Sequence, residues 1–247
     1  MSRQAWVEQI MGMPVSIHLR GPDLRGTAVE RAVAAAYEEL RLVDELFSTY
    51  RADSQLSRLR RGELDRRHTD PLLDEVAALA RQADERTDGA FTTTLPDVDG
   101  VLRYDPTGLV KGWAVDRAAV ALRGLPETAW ALNAGGDVLV GRHAYIDPVG
   151  EDAAPWRIGI EDPRDRSRVV AVVPLTTGAV ATSGTAARGA HLYDPFAGVT
   201  VERSGSFTVV ADTLLWADVW ATALFVGGDV AREAFSRNAP GYQSFAA

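Results

Sequence analysis

The chain contains no cysteine, so disulfides and thiolate metal sites are excluded. Lysine is almost absent as well: Lys111 is the single lysine among 26 Lys and Arg residues. Where arginine has taken nearly every basic position, the remaining lysine marks a place where a compact ammonium and a planar guanidinium are not interchangeable; chance survival is the plainer alternative. Basic charge is in deficit, with 34 acidic residues, a net charge of -8 and a pI near 5.1. Nucleic-acid binders carry a basic footprint because phosphate contacts dominate their affinity. The one arginine-rich run here, 58–67, is broken by Glu63 and Asp65 and reads as a solvated loop. Long apolar runs are missing too. The most apolar stretch, 217–226, contains Asp218 and is far too short to span a bilayer, and residues 1–13 lack the apolar centre of a signal peptide. These absences predict a cytoplasmic protein with no nucleic-acid partner and no membrane span.

What remains is ordinary for a globular protein: 247 residues, 46% apolar and 24% charged, enough to bury a substantial core. No repeat, low-complexity tract or linker divides the chain, so a single domain over 1–247 is expected. Residues 10–20 read as a strand. Thr27 and Glu30 have capping-box spacing, and Ala28, Ala32, Ala36, Leu40, Val43 and Phe47 predict a helix after them. Asp70-Pro71 reads as an N-cap followed by proline at the first helical position, and Asp88-Gly89 as the end of that helix. A third helical unit is expected over 108–123, with Gly124 as its stop. The middle of the chain then changes period: 130–140, 156–160, 169–175, 180–183 and 206–211 are short β-branched or alternating runs separated by turn residues. Residues 215–226 return to a helical pattern closed by Gly227-Gly228, and Asp229 reads as the cap of a last helix. Helices early and late with strands between indicate an α+β fold, with mixed or antiparallel sheets and packed helices.

Four segments carry polar groups that a purely structural pattern does not require. Asp218 and Thr222 are four apart on an otherwise apolar helix and so share one face. They offer a carboxylate and a hydroxyl to a hard cation, or else an ion pair and a bond back to the helix backbone. In 105–116, DPTGLVKGWAVD, two glycines flank Lys111 at a helix start, where free N–H groups favour phosphate; the spacing is neither a P-loop nor a dinucleotide fingerprint. In 181–198, ATSGTAARGAHLYDPFAG, His191 stands beside a small-residue turn as a candidate general base or a surface histidine. Ser183 lacks the GxSxG setting of a hydrolase nucleophile. Residues 47–59, FSTYRADSQLSRL, with DGAF at 88–91, read as two polar loops or as a ligand rim bringing Tyr50 or Phe91 against an aromatic ring.

Taken in order, these segments resemble the FAD:protein FMN transferase family, also called the ApbE family. The resemblance rests on MGMPVSIHL from Met11, FSTYRADSQLSRL, DGAF, GLVKGWAVDRA from Gly108, NAGGDVLV from Asn133, WRIGIEDP from Trp156, ATSGTAARGAHLYDPFAG and ADVWATALFVGG from Ala217, a colinear set over nearly the whole chain. It implies the family's α+β flavin-binding fold and magnesium-dependent cleavage of FAD, with FMN passing through a phosphoester bond to Thr or Ser of an acceptor flavoprotein and AMP leaving. It also implies site residues. The magnesium ligands would be the Gly108 carbonyl, Asp218 and Thr222. Contacts to FAD would come from Met11, Tyr50, Ala90, Phe91, Thr92, Asp105, Lys111 and Leu192. His191 would be the base, with Asp218 catalytic through the metal.

Three departures accompany the resemblance. Thr92 stands where many relatives have Asp, Ala221 where some have a second Asp before Thr222, and the run 183–191 is short and lacks the Tyr that often follows TSG. Two further readings stand beside transfer: an FAD pyrophosphatase using water as acceptor, and a flavin-binding protein without turnover.

Overall fold

The computed structural model describes residues 2–97, 99–143, 154–185 and 192–247. It opens with a hairpin, β1 (Ser2–Ile10) and β2 (Met13–Gly21), whose two-residue turn is Met11-Gly12. Both turn residues have positive φ, 56° and 72°, the geometry that matches the twist of paired strands. The expected single strand over 10–20 is thus the second arm of a hairpin whose first arm is more polar and exposed. Helices α1 (Thr27–Phe47), α2 (Gln55–Arg60) and α3 (Pro71–Arg86) follow, then a short ribbon of β3 (Thr94–Pro96) and β4 (Leu102–Tyr104), then α4 (Thr107–Ala118) and α5 (Val120–Arg123). Strands β5 (Ala129–Ala134), β6 (Asp137–Arg142), β7 (Trp156–Asp162), β8 (Asp165–Leu175) and β9 (Gly178–Gly184) form the middle of the chain. A two-residue pair, β10 (Tyr193–Asp194) and β11 (Val199–Thr200), precedes β12 (Ser206–Ala211), α6 (Leu214–Val226), α7 (Gly228–Asn238) and β13 (Gln243–Ala246).

Seven strands make the central sheet, in the order β1-β2-β5-β6-β9-β12-β13. Every strand pairing among the described residues is antiparallel. The fold is α+β, as the order of elements predicts, and of the expected sheet types the antiparallel one is found. α6 lies on β9 and β12, and α4 packs against both α1 and α6. One hydrophobic cluster runs from Ile10 to Ala239. α6 is apolar around nearly its whole circumference, LLWADVWATALFV, which is the pattern of a helix buried on all sides.

Several local expectations are corrected. The Thr27–Glu30 box does not form: Gly26 is the N-cap, Thr27 is already helical, and no side chain caps the helix. The buried stripe of α1 is Val29, Val33, Ala36, Tyr37, Leu40, Val43, Leu46 and Phe47. Ala28 is exposed and Ala32 only partly buried, because the larger side chains claim the core face. Asp229 is not a cap either; Gly227 holds that position and Asp229 pairs with Arg232. Asp70 does cap α3, accepting from the Leu72 N–H at 2.9 Å with Pro71 at the first helical position. The arginine-rich run is partly structured: Arg58 and Arg60 end α2, and Arg60 is committed to the site described below. No helix among the described residues is long and apolar enough to cross a membrane.

Candidate active site

A cavity of about 360 Å³ opens beside α4 and α6, within the usual size range of small-molecule sites. Its walls come from segments far apart in sequence, and each is held by identifiable bonds. Met11 enters from the β1–β2 turn, where a non-glycine residue keeps positive φ at a cost that clusters at functional sites. The rim after α1 is clamped by two serines: Ser54 Oγ and Ser57 Oγ both donate to the Ser48 carbonyl, at 2.7 and 3.1 Å. Ser54 also caps α2, accepting from the Ser57 N–H at 3.0 Å. The spacing of serines in FSTYRADSQLSRL is therefore that of a loop clamp, and it leaves Tyr50, 95% exposed, at the mouth.

The DGAF turn is fixed from beneath. The buried Thr87 hydroxyl donates to the Ala83 carbonyl at 2.7 Å and accepts from the Phe91 N–H at 2.9 Å. Asp88, at φ 50°, pairs with Arg237 of α7 at 2.5 Å. Ala90, Phe91 and Thr92 then line the cavity. Thr92 Oγ1 accepts from the Thr94 N–H at 3.1 Å, which ties it to the first residue of strand β3. Asp105 is held by Arg60 at 3.0 Å and accepts from the Thr107 N–H and hydroxyl at 3.0 and 2.6 Å. Arg60 Nε also donates to the Tyr104 carbonyl at 2.8 Å.

The floor is where the charges meet. Lys111 projects from α4 and lies between two carboxylates. It donates to Asp137 Oδ2 and stands 3.3 Å from Asp218 Oδ2. Its side chain is 18% exposed and both carboxylates are 5% exposed. Asp137, the first residue of β6, spends its other oxygen on the Thr182 N–H at 2.9 Å. Thr222, one turn after Asp218 on α6, has its hydroxyl 2.9 Å from Ser183 Oγ. Gly108, on the first turn of α4, lines the same space.

The glycine after Lys111 sets the closeness of this crossing. A Cβ on Gly112 would lie 2.7 Å from the Leu214 carbonyl oxygen and 2.9 Å from Leu215 Cα, so α4 meets the start of α6 backbone to backbone. Asp116, one turn further along α4, accepts from the N–H groups of Leu214 and Leu215 at 2.9 and 2.8 Å. It satisfies donors that the first turn of a helix otherwise leaves orphaned and complements the helix dipole. Burial pushes its pKa up to about 6, against the lowering effect of those two N–H groups. Burial also raises Asp44 on the cavity wall.

The donors fit a hard cation. A carboxylate, a hydroxyl and a backbone carbonyl, from Asp218, Thr222 and Gly108, share the floor and match the oxygen preference of magnesium. Among the described residues no group of three or more His, Cys, Asp or Glu side chains is arranged to hold a metal, so an ion here depends on such mixed oxygen donors.

All eleven described residues singled out from the sequence line this cavity: Met11, Tyr50, Ala90, Phe91, Thr92, Asp105, Gly108, Lys111, Leu192, Asp218 and Thr222. The candidate base, His191, lies outside the described residues. Sequence reasoning missed Asp137, Ser183 and Arg60 as site residues and Asp116 as the link between helices. Asp137 had a readable signal, an acid directly after the Gly135-Gly136 turn and opening an apolar strand. Arg60 had none, since its partner lies 45 residues away.

Comparisons with known proteins bear on the fold and the family. The family model described as "ApbE family" matches residues 11–103 and 95–245. A FAD:protein FMN transferase of Salmonella typhimurium is 27% identical over 237 residues, covering 75% of this chain and 68% of the relative. The Escherichia coli K12 protein of the same name is 25% identical over 247 residues, covering 78% and 70%. A solved structure, the flavin transferase ApbE from Vibrio cholerae, superposes with a TM-score of 0.77 at 22% identity, covering 100% of this chain and 97% of that one; this likeness bears on the fold. With the family model spanning nearly all of its sequence, the chain belongs to the ApbE family.

Proposed function

We propose that this protein cleaves FAD and transfers the FMN half to a Thr or Ser hydroxyl of an acceptor flavoprotein, with magnesium as cofactor and AMP as leaving group. The observation that supports the reading most is the floor of the cavity, where one ammonium, two buried carboxylates and a hydroxyl converge beneath a rim of aromatic and backbone groups. The relatives named FAD:protein FMN transferase point the same way.

Tyr50, Phe91 and Met11 offer apolar surface to a flavin ring, and Asp105 offers an acceptor to a nucleotide hydroxyl or amine. Ala90, Thr92 and Leu192 complete that wall. Asp218, Thr222 and the Gly108 carbonyl would hold magnesium, which supplies Lewis-acid neutralisation of pyrophosphate charge. Lys111 faces the same charge with its ammonium and stabilises it as the bond to AMP breaks. The acceptor oxygen attacks the phosphorus of the FMN half in line. The phosphoester bond forms as the bridging P–O bond breaks, AMP departs with the bridging oxygen, and the hydroxyl proton passes to His191. A His191→Ala variant that kept the full transfer rate would remove that role.

The test is incubation with FAD, magnesium and a flavoprotein carrying an acceptor Thr, followed by flavin fluorescence on the denatured acceptor and an AMP assay. A fluorescent acceptor, lost with EDTA and in Asp218→Ala, is the expected result. AMP released with water as acceptor and no labelled protein would make the enzyme an FAD pyrophosphatase. FAD bound with no AMP would leave a binding protein without turnover.

A further inference from the structure

We propose that Arg237, with Asn238 beside it, is a positioning residue: the end of α7 sets where the Ala90-Phe91-Thr92 wall stands against α6, and so how tightly the dinucleotide is held. The inference rests on the FAD-binding reading above. α7 supplies no residue to the cavity wall, yet both of its ends meet the turn that carries that wall. At its start, a Cβ on Gly227 would lie 2.5 Å from Ala90 Cβ, so the elbow between α6 and α7 rests on Ala90. At its end, Arg237 pairs with Asp88 at 2.5 Å. Asn238 Nδ2 donates to the Arg86 carbonyl at 2.8 Å, and Arg86 returns a bond to the Asn238 carbonyl at 3.2 Å.

The turn depends on this bracket for its place and not for its shape. Its shape is set by bonds of its own. The Gly89 N–H donates to the Asp84 carbonyl at 2.9 Å and the Ala90 N–H to the Thr87 carbonyl at 3.1 Å, and the Thr87 hydroxyl holds the Phe91 N–H. None of these three bonds reaches α6, which bears Asp218 and Thr222. The residue at φ 50° points the same way. Glycine takes a left-handed φ at no steric cost, as Gly89 does next door at 79°. Aspartate at 88 adds a carboxylate to the turn, and that carboxylate binds Arg237. The two side chains are 56% and 40% exposed, so the pair contributes little to overall stability. Its effect is on the fraction of molecules in which the wall is in place, and apparent affinity scales with that fraction.

The experiment titrates FAD into the full chain by calorimetry, without acceptor, in wild type and variants. Arg237→Gln is expected to weaken FAD binding about two- to five-fold, the upper range of an exposed ion pair, and Arg237→Gln with Asn238→Ala about ten-fold. Arg237→Lys should bind FAD as wild type does, since an ammonium can make the single N–O contact. Magnesium affinity, titrated separately, stays unchanged because the floor on α4 and α6 is untouched. In the transfer assay KM for FAD rises while kcat holds. Asp88→Asn keeps a residue that tolerates left-handed φ; it should match Arg237→Gln, with no further loss when the two are combined. Wild-type FAD affinity in the Arg237→Gln, Asn238→Ala variant would overturn the inference. Equal losses of FAD and magnesium affinity would overturn it as well, because the end of α7 would then hold the whole site together, and so would additive losses for Asp88→Asn and Arg237→Gln. A wild type that binds no FAD would instead refute the reading of the cavity, and this inference with it.

Discussion

Gly112→Ala separates helix propensity from helix packing. In an isolated helix this change stabilises by about 1 kcal/mol, since glycine has more backbone entropy to lose. Here the added methyl would stand 2.7 Å from the Leu214 carbonyl oxygen and 2.9 Å from the Leu214 carbonyl carbon and Leu215 Cα. All three are backbone atoms, so no side-chain rotation relieves the contact and α4 must move from α6. Overpacking of this kind costs about 1–3 kcal/mol. The upper part of that range applies against rigid backbone, which leaves a net loss of about 1–2 kcal/mol. For a chain of this size 1 kcal/mol moves the midpoint by about 2–4 °C, so thermal unfolding followed by circular dichroism should show a fall of about 2–8 °C. The same displacement draws Lys111 from Asp218 and Asp116 from its two N–H partners. A shift of a few tenths of an ångström at a reacting centre lowers the rate by about ten-fold. A higher melting temperature with undiminished transfer would refute the close crossing and the account of the Lys-Gly pair built on it.

One further outcome follows from the same crossing, and another from the contact of α6 with β9. Because burial raises Asp116 from 3.8 to about 6, the folded protein holds this proton more tightly than the unfolded chain; its contribution to stability is fully present below about pH 4 and is lost as pH rises through about 6, a change of about 3 kcal/mol. Asp116→Asn should flatten that part of the stability profile in urea unfolding at stepped pH, and an unchanged slope between about pH 4 and 6 would assign it to other groups. Ser183→Ala removes the hydroxyl beside Thr222. Since a neutral hydrogen bond contributes about 0.5–1.5 kcal/mol, the melting temperature should fall by about 1–6 °C, and magnesium affinity about three- to ten-fold where the bond orients Thr222; an unaltered affinity would show that Thr222 needs no orienting partner.

Periodicity in the sequence conveys the elements better than their ends. The strand 206–211 and the helix closing at Val226 are found where the pattern puts them, because their apolar residues pack into the main core. The Thr27 cap fails because spacing alone does not say which residue leaves helical geometry first. β1 is hidden because an exposed edge strand carries no alternation strong enough to stand out. The site divides in the same way. Residues in runs of unusual composition, such as Lys111 between two glycines or Asp218 on an apolar helix, are visible to a reader of the sequence. Asp137 left one local sign, an acid after a Gly-Gly turn, whereas Ser183, Arg60 and Asp116 act through partners far along the chain, and a local pattern holds no record of a long-range contact.

Those long-range partners follow from the strand order. β6 and β9 are 35 or more residues apart in sequence yet pair directly, with Val138 opposite Val180. That register sets the start of β6 beside the end of β9, so the acid after the Gly-Gly turn meets the Thr182 N–H. Chain order then carries β12 into α6 across the same face, which brings Thr222 onto Ser183 and Asp218 onto Lys111. α4 is positioned by a glycine that admits backbone contact and an aspartate that caps the neighbouring helix. Gly112 and Asp116 hold α4 against the start of α6, so the distance between Lys111 and Asp218 depends on both. The GLVKGWAVD segment is thus one device: the lysine carries the charge, the glycine sets how near it comes, and the aspartate locks the helix against which it is measured.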